Sequence, residues 1–357
     1  MNSYLSRVKE SLREESLDFV LFTDPIEIQY LTTISSSNIA LLVLADSIHI
    51  YTDFRYREVV ESYTKNCDIL FTLVKGDILK WVSKDIKGNR RGAIQSDRLS
   101  VDSYKSLQNL LPDVEFLHRG EELSQMFQIK DTFGIESISQ AASIADRALA
   151  NLIPTLKINQ TEREVAIRLN RFCEDMGSEA PSFDTIVLFG EHSALPHGVP
   201  SSRMLKRGDT ILIDFGCTVN GYCSDMTRTI FVEGVDNHLK ELYSITLEAQ
   251  KLGVKSVVAG VKASQIDRIT RDYIEKAGYG ELFGHGTGHG VGLRIHESPS
   301  ISKRDETLLQ AGMVITVEPG IYTPNLGGIR VEDLILVTDD GCQTLSKSPK
   351  ELQIIKL

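Results

Sequence analysis

Eight histidines are spread over the 357 residues, yet three fall within Gly284-His285-Gly286-Thr287-Gly288-His289-Gly290-Val291-Gly292-Leu293-Arg294-Ile295-His296-Glu297. Alternating glycines let a backbone approach other groups closely, which suits a loop presenting imidazoles better than it suits core packing. A phosphate loop is excluded, because neither GxGxxG nor GxxxxGK[ST] is present and no clear helix follows. The zinc-protease pattern HExxH fails as well: Ser300 stands where its second histidine belongs, and Pro299 breaks the helix it needs. For any one of these histidines alone, a structural hydrogen bond fits as well as ligation.

Carboxylates recur in equally unusual places. Asp214 interrupts the apolar run Thr210-Ile211-Leu212-Ile213-Asp214-Phe215-Gly216, and burying an unpaired carboxylate costs several kcal/mol or more. Asn220-Gly221 is a favoured two-residue hairpin turn, with a return strand expected from Tyr222 to Val232. Such a turn sets Asp225 opposite Gly216, on the face of Asp214, leaving the carboxylates diagonal neighbours roughly 7 Å apart. They repel unless a cation lies between them or one takes a proton, and the cation is the simpler resolution. The alternative is an ordinary polar strand end with Asp214 paired to Arg228 or Arg203, and a bulge would change the register. Met313 to Glu318 is a β-branched run ending in a carboxylate before Pro319-Gly320. Gly327-Gly328 opens a strand to Val337 on which Arg330 and Glu332 share a face; in the bland account Arg330 neutralises Glu332, or Asp333 marks the wet side.

Asp214, Asp225, His289, Glu318 and Glu332 together supply four carboxylates and one imidazole, whose charge balances two divalent cations. An oxygen-dominated set of this kind suits Mn, Co or Fe better than a thiolate-type zinc site. Two ions about 3.5–4 Å apart can share a water, lower its pKa and polarise a carbonyl opposite. That is hydrolytic chemistry.

The elements that must position these groups read as two domains. Residues 1–125 alternate apolar strands (Phe19 to Phe22, Ile39 to Ala45, Ser47 to Tyr51) with helical patterns at Phe54 to Tyr63 and Ser103 to Leu111, an α/β layout. Residues 126–357 read as α+β. Ile138 to Leu152 carries i, i+3, i+4 apolar spacing ending before Pro154, Thr161-Glu162-Arg163-Glu164 is a capping box ahead of a helix from Val165 to Met176, and two further helices are expected at His238 to Val257 and Ser264 to Ala277. A net charge of −10 argues against nucleic acid or an anionic membrane as the main partner. The longest apolar run, Ile39 to Ala45, is far below the roughly 20 residues of a membrane span, and the polar start Met1-Asn2-Ser3 lacks a leader core. The expected location is the cytoplasm. Five scattered cysteines without a CxxC pair suggest neither a disulfide framework nor a structural zinc site.

With these segments in place the chain resembles the pita-bread metallopeptidases, the superfamily of aminopeptidase P, prolidase, creatinase and methionine aminopeptidase. The matching segments are His197-Gly198-Val199-Pro200, Asp214 to Gly216, Asp225-Met226-Thr227-Arg228-Thr229, His285 to Glu297, Glu318-Pro319-Gly320-Ile321-Tyr322 and Gly328-Ile329-Arg330-Val331-Glu332-Asp333. Thr52-Asp53-Phe54-Arg55-Tyr56 lies in a region similar to the creatinase-type N-terminal domain, which methionine aminopeptidases lack. The resemblance implies a C-terminal pita-bread fold behind an N-terminal α/β domain. It implies a dinuclear centre in which Asp214 and Asp225 bind one ion while Asp225, His289, Glu318 and Glu332 serve the other, Asp225 and Glu332 bridging. Manganese is the first expectation, with cobalt, zinc or iron as alternatives.

In the same resemblance Glu318 is also general base. His197, His285 and His296 line the cleft and handle the peptide carbonyl and the leaving proline nitrogen, Arg330 and Thr227 stand behind the ligands, and Tyr322 is a cleft residue. The implied partner is a peptide with proline second, cleaved by a homodimer. Many prolidase-like members carry Arg where Ser300 stands here, and Arg294 sits nearby. That departure tilts the expectation to an Xaa-Pro aminopeptidase, with an Xaa-Pro dipeptidase as the alternative and a methionine aminopeptidase, a creatinase-like hydrolase or a non-catalytic binding protein behind it.

Overall fold

The computed structural model describes residues 3–65 and 67–357; Met1 and Asn2 of the polar start lie outside the described residues. The chain divides into two compact units, Met1–Phe127 and Gln128–Leu357. In the first, six short strands form one mixed sheet in the order Leu70–Leu73, Ile48–Thr52, Ile39–Leu44, Phe19–Phe22, Arg91–Ile94, Glu115–His118. Phe19–Phe22 is buried at every position because helices cover both faces of a central strand. The helix expected from Phe54 begins instead as a 3₁₀ turn, Phe54–Tyr56, with Asp53 accepting the Arg55 N–H, and becomes α-helical at Arg57–Thr64. No helix among the described residues is long and apolar enough to cross a membrane.

This unit holds a buried acid. Glu27, on the helix Pro25–Thr32, is 3% exposed and accepts hydrogen bonds from Ser124 Oγ (2.7 Å) and Gln95 Nε2. Burial outweighs the Ser124 bond and pushes its carboxyl up to about 7 from the usual 4.5. Between those values the folded protein binds more protons than the unfolded chain, so the stability Glu27 contributes is complete in acid and lost as pH rises through the folded pKa. Between pH 5 and 8 the wild type is expected to lose on the order of 2–3 kcal/mol that Glu27→Gln retains. Urea unfolding at both pH values checks this, and parallel pH profiles for the two proteins would exclude it.

The second unit runs through one plan twice. Helices Thr132–Leu152 and Glu162–Asp175 precede a sheet ordered Ile354–Ile355, Met226–Val232, Thr210–Phe215, Ile186–Phe189. Helices Asn237–Lys255 and Ala263–Lys276 precede an antiparallel sheet ordered Glu297–Ile301, Gly288–Gly290, Val314–Val317, Asp333–Thr338, Gly341–Thr344. The capping box forms, with Glu164 N–H donating to Thr161 Oγ1 and Thr161 N–H to Glu164. Apolar residues from the first helix pair and its sheet, including Ala145, Leu152, Leu169, Ile211 and Ile213, make one continuous core.

Two expected strands are broken. Asn220 (φ 52°) and Gly221 (φ 78°) make the tight turn, and the register is the one the turn dictates, Tyr222 facing Val219 and Thr227 facing Asp214 without a bulge. The return strand is interrupted at Ser224 and Asp225 between Tyr222–Cys223 and Met226–Val232. The strand expected from Gly327 to Val337 is also two. Gly327–Arg330 pairs with Gly320–Thr323, Asp333–Thr338 pairs with Val314–Val317, and the chain changes sheets at Val331 and Glu332.

Candidate metal centre

Each acidic residue of the expected set sits where its strand ends or leaves its ladder. Asp214 is the penultimate residue of Thr210–Phe215, Glu318 follows Val314–Val317, and Asp225 and Glu332 occupy the two interruptions. Backbone bonds fix their relative positions: Glu332 N–H donates to Thr227 O (3.2 Å) and Glu318 N–H to Thr287 O (2.7 Å). One carboxylate oxygen from each of Asp214, Asp225 and Glu332 falls within 4.8 Å of the others, and all three residues are buried.

His289 is set against this cluster by the glycines around it. A Cβ on Gly288 would lie 2.1 Å from Thr316 O, and one on Gly290 would lie 2.5 Å from Ser298 O, so only glycine lets the three strands close around the histidine. His289 Nδ1 lies 3.0 Å from Gly290 O. A carbonyl can only accept, so Nδ1 carries the proton and a neutral ring points its Nε2 lone pair at Glu318 Oε1 (3.3 Å) and Asp225 Oδ2 (3.5 Å). An acceptor facing two acceptors requires a proton or a metal ion between them.

The groups behind the cluster determine its charge. Asp214 is paired with Arg330 rather than with Arg228 or Arg203; Arg228 pairs with Asp333 and Arg203 with Asp209 and Glu191. Arg330 therefore neutralises Asp214, not Glu332, and its remaining N–H groups donate to Thr227 Oγ1 (3.1 Å), Tyr322 Oη (2.6 Å) and Pro196 O (3.3 Å). Thr227 Oγ1–H in turn donates to Glu332 Oε2 (2.7 Å). Asp333, far from marking a wet side, is fully buried between Arg228, Lys350 and Gln250.

Burial raises the carboxyl pKa of Asp214, and burial with repulsion from the other carboxylates raises those of Asp225 and Glu332 well above the usual range. Glu318 goes the other way. Burial opposes its charge, but the hydrogen bond and charge of His289, with His285 and Arg330, hold it at about 2. His289 is itself raised, its bond to Glu318 overcoming burial.

The donor set fits divalent cations. Asp214 Oδ1 and Glu332 Oε1 are buried without a hydrogen-bond partner among the described residues, a state native proteins avoid unless something else satisfies the oxygen. A cation there would turn the repulsion among the carboxylates into attraction.

These groups form the floor of a cavity of about 830 Å³ whose walls include His197, His285 and His296. The His296 ring lies edge-on to His289, centroids 4.3 Å apart. His285 is already engaged: Nδ1 donates to Gly286 O (2.7 Å) and Nε2 lies 2.9 Å from Tyr322 Oη. Arg330, Tyr322 and His285 thus form a chain from Asp214 into the cavity wall.

Supports that sequence reasoning missed include the Asp267–Arg271 pair. Asp267, fully buried, accepts from Thr287 N–H and Oγ1, while Arg271 donates to Asp267, His285 O and Phe283 O, clamping the glycine-rich loop to the helix Ala263–Lys276. Its i, i+4 spacing was visible; its burial was not. Lys130, buried against Glu297 at 2.7 Å, steadies the segment after His296 and had no sequence signal.

Comparison with known proteins follows the same division. The model of "Metallopeptidase family M24" matches residues 136–339 and that of the "Creatinase/Prolidase N-terminal domain" matches residues 5–126. A Pyrococcus furiosus protein named Xaa-Pro dipeptidase is 36% identical over 99% of this chain and 100% of its own length. Among solved structures, an Xaa-Pro dipeptidase from Bacillus anthracis aligns with a TM-score of 0.93 at 38% identity, covering 99% of each chain. An X-Pro aminopeptidase from Thermotoga maritima aligns at 0.89 and 34%, covering 97% of this chain and 100% of the other.

Proposed function

This chain belongs to metallopeptidase family M24, and from that premise we propose that it is an Xaa-Pro dipeptidase, hydrolysing the bond between an N-terminal residue and a C-terminal proline. The observation that carries the reading is the convergence of Asp214, Asp225 and Glu332 within 4.8 Å beneath one cavity. The dipeptidase replaces the aminopeptidase expected from Ser300, because full-length relatives from Pyrococcus and Bacillus bear the dipeptidase name. The likeness to the Thermotoga aminopeptidase keeps an Xaa-Pro aminopeptidase as the second reading.

Asp214, Asp225, His289, Glu318 and Glu332 would hold two divalent ions, manganese first, which when bound supply Lewis-acid activation of water and of the scissile carbonyl. Glu318, beside the place where the ions would sit, takes the proton of the attacking water. Arg330 and Thr227 fix the orientations of Asp214 and Glu332 through the bonds described. His197 and His296, on the cavity wall, hold the carbonyl and bring a proton to the departing proline nitrogen. His285 joins them only by releasing Tyr322. The family resemblance adds a homodimer, and the expected location is the cytoplasm.

The test is direct. Purified enzyme loaded with Mn²⁺ is offered Ala-Pro and Ala-Pro-Ala, and release of alanine from the dipeptide is expected to be faster by about tenfold or more, the order of one well-placed charged contact. Preference for the tripeptide would return the aminopeptidase reading, and cleavage of neither at full metal occupancy would remove both.

A further inference from the structure

One face of the helix Glu162–Asp175 looks into the cavity: Arg163, Ala166, Ile167 and Asn170, at i, i+3, i+4 and i+7, all line it. This wall of the cavity is open to solvent. Here Ile167 is 63% exposed, and Arg163 is exposed with no side-chain hydrogen bond or ion pair among the described residues. The first turn of the helix is nonetheless firmly seated. Arg163 N–H donates to Ser201 O (3.2 Å), and the buried Glu162 carboxylate accepts from Phe189 N–H, Ser201 N–H and Ser201 Oγ. The same segment carries His197 and Val199, and Val199 is a second exposed apolar side chain on the cavity wall.

Only two arginines or lysines line this cavity, Arg163 and Arg330. Arg330 is fully committed to Asp214, Thr227, Tyr322 and Pro196. Among the described residues, Arg163 is therefore the one guanidinium lining this cavity without a side-chain partner, in a cavity whose floor carries four carboxylates. A zwitterionic dipeptide in such a field aligns with its ammonium end toward the carboxylates and its carboxylate toward the cationic wall. A guanidinium meets a carboxylate with two parallel hydrogen bonds, a geometry that neither an amide nor a further residue reproduces.

Resting on the dipeptidase reading, we propose that Arg163 is the specificity-determining residue for substrate length. Its guanidinium receives the C-terminal carboxylate of the leaving proline, and Ile167 and Val199 pack against the pyrrolidine ring. This supplies, from another element, the cation that Ser300 does not.

The experiment compares Ala-Pro with Ala-Pro amide, identical except for the terminal charge, in Mn²⁺-loaded wild type, Arg163→Gln and Arg163→Lys. The wild type is expected to favour the free acid. In Arg163→Gln the ratio of kcat/KM for acid over amide falls about tenfold or more, mainly through KM for the acid, and Arg163→Lys restores part of it. An unchanged ratio in Arg163→Gln, whether both rates fall together or neither moves, overturns the role of Arg163 while leaving the dipeptidase reading intact. A wild type that cleaves neither compound overturns that reading, and this inference with it.

Discussion

Asp225→Asn is expected to abolish turnover while raising the melting temperature of the metal-free protein. Asp225 lies with Asp214 and Glu332 in one buried cluster, and burial with the repulsion of Glu332, Asp214 and Glu318 holds its carboxyl well above the ordinary range. Asparagine keeps the shape and removes the charge, so the repulsion that the folded chain carries without a cation is relieved; each kcal/mol recovered appears as about 2–4 °C in the melting of a unit the size of Gln128–Leu357. The same change withdraws a negative ligand expected to serve both ions. Metal content should fall and kcat/KM drop by about a thousandfold or more, since activation of the water and of the carbonyl is lost together. Elemental analysis, peptide turnover and melting with and without chelator read the three effects separately. A variant that keeps its metal and near-normal turnover would exclude Asp225 as a ligand.

Arg228→Met is expected to cost about 3–5 kcal/mol of stability, because it leaves a buried carboxylate short of its principal partner. Arg228 is 2% exposed, and its guanidinium meets Asp333 Oδ1 at 2.8 Å, Thr227 O at 2.9 Å and Ser348 O at 2.8 Å, with a further bond to Glu332 O. Asp333 keeps Lys350 and Gln250, so the loss is large without being total. Thr227 and Glu332 are both held from behind by this one side chain, and activity below the melting point should therefore fall as well. Adding Asp333→Asn removes the carboxylate that has lost one of its two cations and should recover part of the stability. Denaturant unfolding of wild type and the two variants checks the sequence of effects; a single variant within about 1 kcal/mol of wild type would contradict it.

The first half of the site was legible because it is local. Asn220-Gly221 dictates a two-residue turn, that turn dictates the register, and the register brings Asp225 beside Asp214. The glycines flanking His289 were legible as close-approach positions, although the carbonyls they admit, Thr316 O and Ser298 O, belong to strands the spacing does not name. The pairing of charges was not legible. Arg330 and Glu332 are two residues apart and read as neighbours on one strand, yet the strand ends at Arg330, Glu332 lies in the break before the next sheet, and Arg330 turns to Asp214. Asp333 reads as a wet position only if its strand is assumed to have a wet face; the helix Asn237–Lys255, which contributes Gln250, covers it.

By itself, then, the amino-acid order determined the four long helices of the second unit, the capping box at Thr161 and the hairpin, since each depends on residues within a few positions of one another. Which cation faces which carboxylate, that Glu318 meets His289 while Arg228 serves Asp333, and that Arg163 looks into the cavity were decided only when the two sheets and their helices packed. Those partners are far apart along the chain, and in a low-dielectric interior the energy of a charge depends on what lies within a few ångströms of it in space.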